Sequence, residues 1–260
     1  MRRGIWAWLW LGAGALYFVV PLAATLQFSL QARRGELSLQ AYQNVLASPA
    51  FAASFMFSLQ TAVVTIVAST LLLIPTAYII HVAAPRLRTV IDVIVVLPFV
   101  IPPVVLVFGL ARTYVRTPLT DSHLGLHVLL VAGYIVLSLP YMYRSIDTGM
   151  RVIAVRQLAE AAQSLGAGAW LIMTRIIMPN IVPSLISGGF ITFAIVMGEF
   201  TIAALLAQPA FGPYMSLLAS SKVYEPSALT VISLLLTWGS IVIIQLLGRR
   251  AGGVGRTGGA

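Results

Sequence analysis

Glu199 is a carboxylate well inside a long apolar run, residues 183–207. A helix that rises 1.5 Å per residue would place it about 24 Å from residue 183, in the outer part of a hydrocarbon core about 30 Å thick. An ionisable group at that depth is costly unless it faces water or a partner. Glu199 therefore has two interpretations. It is either a functional group that faces water, or it makes a structural salt bridge or hydrogen bond at the outer rim, with Arg112 or Arg116 as candidate partners.

Asp121, His123 and His127 form a second set of side chains with the types that bind metals. Two histidines four residues apart share one face of a helix and could coordinate a metal ion together. Pro118 and Gly125 argue against a helix here. We therefore interpret this stretch as a solvated outer loop and assign no metal site to the chain.

Patterns that would make the chain an enzyme are absent from the sequence. It has no phosphate-binding GxxxxGK[ST], no HExxH and no nucleophile elbow with a Ser/His/Asp order. It has no cysteine, which excludes disulfides, thiolate metal sites and thiol catalysis. We assign no catalytic residue and no cofactor, and any ATP that drives this protein must be bound by another chain.

A segment between two apolar runs, residues 160–183, reads EAAQSLGAGAWLIMTRIIMPNIVP. Residues 157–165 are good helix formers, and Gly166 suits the left-handed turn common just past a helix end. A second short helix, residues 169–177, should stop at Pro179, because the residue before a proline avoids helical geometry. The pattern predicts a helix-turn-helix outside the membrane.

The spacing in this segment resembles the EAA signature of the permease subunits of binding-protein-dependent ABC importers. That signature is E-A-A, three residues, G, nine residues, I-x-L-P, and the chain departs from it only at Met178, where the nearly isosteric Leu is usual. The resemblance implies that an ABC ATPase docks on the segment. It assigns these residues to the contact: Glu160, Ala161, Ala162, Gly166, Ala167, Ile176 and Pro179.

Composition indicates a polytopic membrane protein. Apolar residues make up 59% of 260 and charged residues 9%, against about a quarter charged in soluble domains. The net charge of +9 does not indicate nucleic-acid binding, because the sixteen basic residues are scattered singly or in pairs between apolar runs. That distribution is typical of loops bordering a bilayer.

The apolar runs predict one all-α domain, residues 1–250, followed by a disordered glycine-rich tail, 251–260. The first run is too long for the apolar core of a signal peptide, so we interpret it as a retained span. The coupling loop extends over about 144–183. The six predicted spans are 5–30, 51–80, 89–111, 128–143, 183–207 and 228–247.

The third span carries Pro98, Pro102 and Pro103. Prolines at mid-membrane depth free backbone carbonyls, which must be satisfied by neighbours or by a wet cavity. A packing kink and a broken helix that lines a pathway are alternative explanations. If the helix is broken, Pro102 and Pro103 belong to the translocation pathway together with Glu199.

The arginine distribution predicts the orientation. With both termini in the cytoplasm, eleven of the sixteen basic residues lie on the inner side, in agreement with the positive-inside rule. The same orientation puts the EAA segment where an ATPase can reach it. We therefore expect a multi-pass protein of the bacterial plasma (inner) membrane.

The resemblance implies a MetI-like permease fold, six transmembrane helices with a cytoplasmic coupling helix-turn-helix, and alternating access rather than enzyme activity. It also implies the partners: ABC ATPase subunits that hold ATP and Mg²⁺, a second similar or identical permease subunit, an extracytoplasmic substrate-binding protein and membrane lipid, but no nucleic acid.

The solute is predicted only by local resemblances. The run LPFVIPPVVLVFGL is similar to the third span of polyamine, ferric iron and thiamine permeases, and Gly198-Glu199-Phe200 resembles a feature of sulfate, molybdate and polyamine permeases. Polyamine is our first expectation, with ferric iron, thiamine, phosphonate or an oxyanion as alternatives.

Two other classes of protein are alternatives to an importer permease. One is a stand-alone channel or secondary transporter with Glu199 as its ion site. The other is an intramembrane enzyme, which the lack of paired catalytic groups disfavours.

Overall fold

The computed structural model describes residues 2–33 and 36–253, and the regular elements in this part of the chain are helices. A 3₁₀ turn, Pro85–Leu87, separates α3 from α4, and a π-helical segment, Ile172–Ile177, separates α8 from α9. The α-helices are α1 Arg2–Ser29, α2 Gln40–Leu46, α3 Pro49–Val82, α4 Arg88–Val100, α5 Pro103–Tyr114, α6 His123–Val152, α7 Val155–Ser164, α8 Ala169–Leu171, α9 Met178–Asn180, α10 Val182–Gly198, α11 Thr201–Leu205, α12 Phe211–Ser221 and α13 Glu225–Gly253.

Within the described residues, three helices are long and apolar enough to cross a membrane, and two bent helix pairs bring the total to five. The three are α1 from Trp6, α3 and α6, and the pairs are Pro85–Val100 with Pro103–Tyr114 and Ala169–Asn180 with Val182–Gly198. The sixth predicted span, 228–247, falls in α13, but most of its side chains from residue 240 onward lie outside the described residues. The helix runs to Gly253, and the rest of the predicted tail, 254–260, also lies outside them.

The third predicted span is a broken helix rather than a kinked one. Its halves are bent by 104° at Ile101 and Pro102, whose ψ angles of 114° and 142° are extended. Each of these residues precedes a proline, and a following proline disfavours the α conformation. Two consecutive prolines therefore interrupt the helix, whereas Pro98 is accommodated inside α4.

The fourth span is longer than the predicted 128–143. α6 begins at His123, where the Ser122 hydroxyl caps the first turn by accepting a hydrogen bond of 3.0 Å from the Gly125 N–H. The prediction of a loop through His127 is therefore wrong. A side chain at Gly125 would clash with the backbone of Leu119, so this glycine permits a close approach rather than ending the helix.

The chain after the start of the fifth predicted span also differs from the prediction in two places. The fifth span ends at Gly198, and Glu199, with ψ of 128°, separates α10 from the short α11. The stretch 208–226, predicted as a Pro/Gly-rich loop, contains α12. Its Pro213 is the third residue of that helix, where the missing N–H would have no intrahelical partner.

The predicted stop at Pro179 is also wrong. Helical backbone continues from Ala169 through the π-helical segment to Asn180, and the break of 74° comes at Ile181 instead. Pro179 is the second residue of α9, directly after the π-helical segment. A proline within continuous helical backbone removes a regular hydrogen bond, and here it lies beside the point where the hydrogen-bond pattern is already irregular.

The chain packs into two compact units, residues 1–53 with 214–240, and residues 54–213 with 241–260. In the first unit, the Asn44 amide donates to Glu225 Oε1 at 3.0 Å. In the same unit the Ser29 and Tyr42 hydroxyls are 2.6 Å apart. The second unit holds the EAA segment and both of the bent helix pairs.

In the second unit, α6 and α10 approach each other through small residues. A Cβ atom added to Gly149 would lie 2.6 Å from Ser184 Oγ, and one added to Gly188 would lie 2.7 Å from Met142 Sδ and 2.9 Å from Ser145 Cβ. Ser145 and Gly149 are four residues apart, as are Ser184 and Gly188. Two small-xxx-small pairs therefore let the helix backbones come close, as in other membrane helix pairs.

This packing predicts that Gly188→Val destabilises the protein. The added methyl groups would overpack the interface and lower the stability by about 1–3 kcal/mol, which a thermal unfolding scan of the purified protein in detergent would detect. Gly109→Val is the matched control, because no heavy atom lies within 4 Å of a Cβ at Gly109. Equal unfolding midpoints for the two variants would contradict the packing argument.

Candidate functional site

One face of α7 is buried and anchors the EAA segment. Val155, Ala159 and Ala162 follow helical spacing along this face and belong to a hydrophobic core with Ile172 and Ile177 of the π-helical segment. Their side chains are at most 8% exposed. Ala162, predicted at the ATPase contact, therefore lies in the core, where its small size lets α7 lie against the π-helical segment.

The other residues of the predicted contact differ in exposure. Ala167 and Ile176 are half-buried, and Ala161, Gly166 and Pro179 are exposed. Glu160 is exposed as well, and its Oε1 accepts a hydrogen bond of 2.9 Å from Arg156 Nε one turn earlier. An exposed pair of this kind contributes little to stability, so Glu160 is available to a partner.

Gly166 forms the left-handed turn that the sequence predicts after α7. Its φ is +84°, its N–H donates to the Gln163 carbonyl at 2.9 Å, and the next N–H, of Ala167, donates to the Ala162 carbonyl at 3.0 Å. No heavy atom lies within 4 Å of a Cβ placed on Gly166. Backbone conformation within the chain therefore requires glycine here, whereas side-chain crowding does not.

Two large apolar residues beside this turn were missed from the sequence. Leu165 is 89% exposed and Trp170 is 73% exposed. Exposed aromatic and aliphatic side chains grouped on one surface are typical of protein contacts. The signal in the sequence is that both flank a glycine turn in a segment outside the spans. We call Glu160, Ala161, Leu165, Gly166 and Trp170 the coupling surface.

Residues 153–181 connect α6 to α10, and we call them the coupling segment. A buried carboxylate near this segment joins three elements. The Asp147 side chain of α6 is 10% exposed and accepts hydrogen bonds from Arg151 Nε at 2.9 Å and His81 Nε2 at 2.7 Å. Arg88 Nη2 lies 3.0 and 3.1 Å from its two oxygens. These side chains come from the end of α3, the start of α4 and α6. Sequence reasoning missed the cluster because its members are up to 70 residues apart.

Glu199 bonds to backbone N–H groups. Its oxygens both lie 3.0 Å from the Ile202 N–H, and Oε2 lies 3.3 Å from that of Ala203, so the carboxylate caps α11. In the described part of the chain it forms no ion pair with Arg112 or Arg116. This geometry supports the interpretation as a structural hydrogen bond. The pathway role of Glu199, Pro102 and Pro103 stays a prediction.

The two histidines considered as metal ligands, His123 and His127, have separate environments. His127 Nε2 lies 2.9 Å from Thr61 Oγ1, and the imidazole packs on Phe57 with ring centroids 4.9 Å apart. His123 is exposed. Nowhere among the described residues do three or more His, Cys, Asp or Glu side chains come together in a group that could hold a metal.

A comparison with family models matches residues 73–252, about two thirds of the chain, to the "Binding-protein-dependent transport system inner membrane component". This range includes the EAA segment, the Asp147 cluster and the break at Glu199. The matched family is the one whose signature the EAA segment resembles.

Individual relatives cover most of the chain. It is 25% identical over 256 residues to the molybdenum transport system permease protein of Mycobacterium tuberculosis, with 94% of each chain covered. It is 26% identical over 222 residues to the spermidine/putrescine transport system permease protein PotB of Haemophilus influenzae, with 78% of this chain and 75% of that protein covered.

A solved structure shares the fold. The chain matches a bacterial alginate ABC transporter, solved in complex with an alginate pentasaccharide-bound periplasmic protein, with a TM-score of 0.73. The identity is 16%, and the match covers 96% of both chains. This likeness concerns the fold alone.

The cap on α11 predicts that Glu199→Ala lowers the thermal unfolding midpoint, because the N–H groups of Ile202 and Ala203 lose their acceptor. The expected loss is about 0.5–2 kcal/mol. Glu199→Gln keeps one acceptor oxygen and should lose less, and Asp121→Ala is the control at an exposed carboxylate. An unchanged midpoint for Glu199→Ala would contradict the cap. A fall in transport with Glu199→Gln at an unchanged midpoint would instead indicate a pathway role.

Proposed function

The chain belongs to the family of binding-protein-dependent transport system inner membrane components, the permeases of ABC importers, and we propose that it carries a small inorganic oxyanion across the membrane. The observation that carries the choice of solute is the similarity to a molybdenum permease over 94% of both chains. Molybdenum in neutral water is present as a tetrahedral oxyanion. The comparisons do not confirm the polyamine that the sequence analysis put first, since the spermidine/putrescine permease covers less of the chain.

The state of the acidic residues supports an anionic solute. A polyamine is a multiple cation, and a protein that binds it inside a membrane needs carboxylates available to pair with it. Both oxygens of Glu199 bond to backbone N–H groups, and both oxygens of Asp147 bond to arginines. Asp147 is therefore already paired with cationic side chains, and the bonding of Glu199 is directed to α11.

We further propose the partners implied by family membership. An ABC ATPase that binds ATP and Mg²⁺ docks on the coupling surface in the cytoplasm, and a second permease subunit completes the pathway. An extracytoplasmic binding protein delivers the solute, as the periplasmic protein in the alginate transporter complex suggests by analogy. Both termini of this chain lie in the cytoplasm.

The packing of α7 explains how ATPase closure would reach the pathway. Force on the coupling surface is passed by Ala159 and Ala162 to Ile172 and Ile177, because these side chains form one buried core. The π-helical segment leads into α10, and α7 follows directly on α6. The two helices that pack most closely through glycine are therefore the two that the coupling segment joins, which suits alternating access.

The docking proposal predicts the effect of changes on the coupling surface. Glu160→Lys should replace an attractive contact with repulsion. Gly166→Val should strain a residue at φ +84° by about 1–2 kcal/mol. We expect both variants to insert into the membrane but to lose ATPase binding or to uncouple hydrolysis from uptake, as measured by co-purification and by proteoliposome assays. Gln163→Ala is the exposed control on the same helix. Full binding-protein-stimulated ATPase activity and full uptake in the double variant would contradict docking here.

The choice of solute is tested by ATP-dependent uptake into proteoliposomes that contain the permease, its ATPase and its binding protein. We expect labelled molybdate or sulfate to accumulate, unlabelled oxyanion to compete, and excess spermidine to have no effect. Accumulation of spermidine without oxyanion uptake would overturn the proposed solute and restore the polyamine interpretation. The permease assignment itself would stand.

A further inference from the structure

A cavity of about 420 Å³, widely open on one side, lies between α6 and α10, within the size range of small-ligand sites. Both of its walls carry polar side chains among apolar ones, and Arg144, Thr148 and Ser187 are exposed in it. The close contacts Gly149–Ser184 and Gly188–Ser145 border it, so the positions of the two walls are fixed by packing. The polar side chains that line it are Tyr141, Arg144, Ser145, Thr148, Ser184 and Ser187.

The polar groups of this cavity have no partners among the described residues. Arg144 forms no ion pair or hydrogen bond there, whereas Arg88 and Arg151 both bind Asp147. None of the four serine and threonine hydroxyls in the walls makes a hydrogen bond in that part of the chain. Span hydroxyls elsewhere commonly bond to a carbonyl four residues earlier, as Thr61 does at 2.8 Å and Thr192 at 2.9 Å. The donors of this cavity are therefore available to a ligand.

The charged side chains that line the cavity favour an anionic ligand. The lining contains one guanidinium and no carboxylate. Asp147, one turn along α6, has both oxygens bonded to arginines and so offers nothing to a cation. A guanidinium presents parallel N–H donors that match two oxygens of an oxyanion, and hydroxyls can donate to the remaining oxygens. A cationic solute would meet Arg144 without a counter-charge.

We propose that this cavity is a binding station for the transported oxyanion, with Arg144 as its charged ligand and the serine and threonine hydroxyls as further donors. The inference rests on the proposed function and extends it to a place in the chain. The cavity lies at the end of α6 that leads into α7 and at the start of α10, which the π-helical segment precedes. Movement of the coupling segment therefore acts on both walls of the station.

The test uses the permease with its ATPase and binding protein in phosphatidylcholine vesicles. Arg144→Gln should reduce ATP-driven molybdate uptake by about tenfold, the loss expected for a charge-assisted hydrogen bond. Binding-protein-stimulated ATPase activity and the thermal unfolding midpoint should stay near the wild-type values. Arg144→Lys keeps the charge and should retain more uptake. Ser184→Ala with Ser187→Ala should give a smaller loss than Arg144→Gln.

Arg116→Gln is the matched control, since Arg116 is exposed and without a partner among the described residues. Wild-type uptake by Arg144→Gln, or an equal loss in Arg116→Gln, would overturn the station while the proposed function stands. If Arg144→Gln unfolds, the proposal is tested by equilibrium dialysis, which measures the binding of labelled sulfate to Arg144→Lys and to the double serine variant. Wild-type binding by both variants would overturn the station.

A phospholipid phosphate has the same chemistry as an oxyanion, so the uptake assay is repeated in vesicles that contain phosphatidylglycerol. A deficit confined to those vesicles would assign Arg144 to lipid and overturn the station. Absence of oxyanion uptake by the wild type would overturn the proposed function itself.

Discussion

Close packing of α6 on α10 is the constraint on which the rest of the second unit depends. Gly149 lies against Ser184, and Gly188 against Ser145 and Met142, at distances that leave no room for a Cβ atom. Lipid tails are as apolar as the side chains they surround, so such helices associate through close van der Waals contact rather than through hydrophobic burial. Small residues at these positions therefore fix the two helices together, and they do so at the ends joined by the coupling segment.

The coupling segment is attached to this helix pair by two kinds of interaction. A buried apolar face of α7 packs on the π-helical segment. Asp147 holds the end of α3 to α6 through His81 and the start of α4 to α6 through Arg88. Removal of one member of a buried ionic cluster leaves the others uncompensated. The arrangement gives a firm base to a surface whose own side chains, Leu165 and Trp170, are exposed. A partner that closes on such a surface can move the helix pair as a unit.

The proposed solute is inferred from the bonding of the charged side chains and not from the fold. Family members that share this fold include relatives named for molybdenum and for spermidine/putrescine. In this chain the carboxylates of Glu199 and Asp147 are bonded within the protein, whereas Arg144 lies in a cavity with four serine and threonine hydroxyls that have no hydrogen-bond partner among the described residues. An anion would complete the bonding of that cavity. The physical basis of the proposed solute is therefore a set of donors without acceptors.

The sequence by itself determined the membrane class, the location of the apolar spans within the described residues and the left-handed turn at Gly166, but not the ends of the spans, since α6 runs from His123 to Val152 and α10 ends at Gly198. Apolar run length and the backbone freedom of glycine are local properties, which a sequence displays directly. Only the tertiary structure showed that helical backbone continues past Pro179 to Asn180, through a π-helical segment. It also decided the partner of Glu199, since the sequence offered two arginines and the chain instead uses the N–H groups of α11. The Asp147 cluster and the Arg144 cavity likewise join residues from separate helices. Their geometry depends on which faces meet, and hydropathy and spacing along one chain do not determine that.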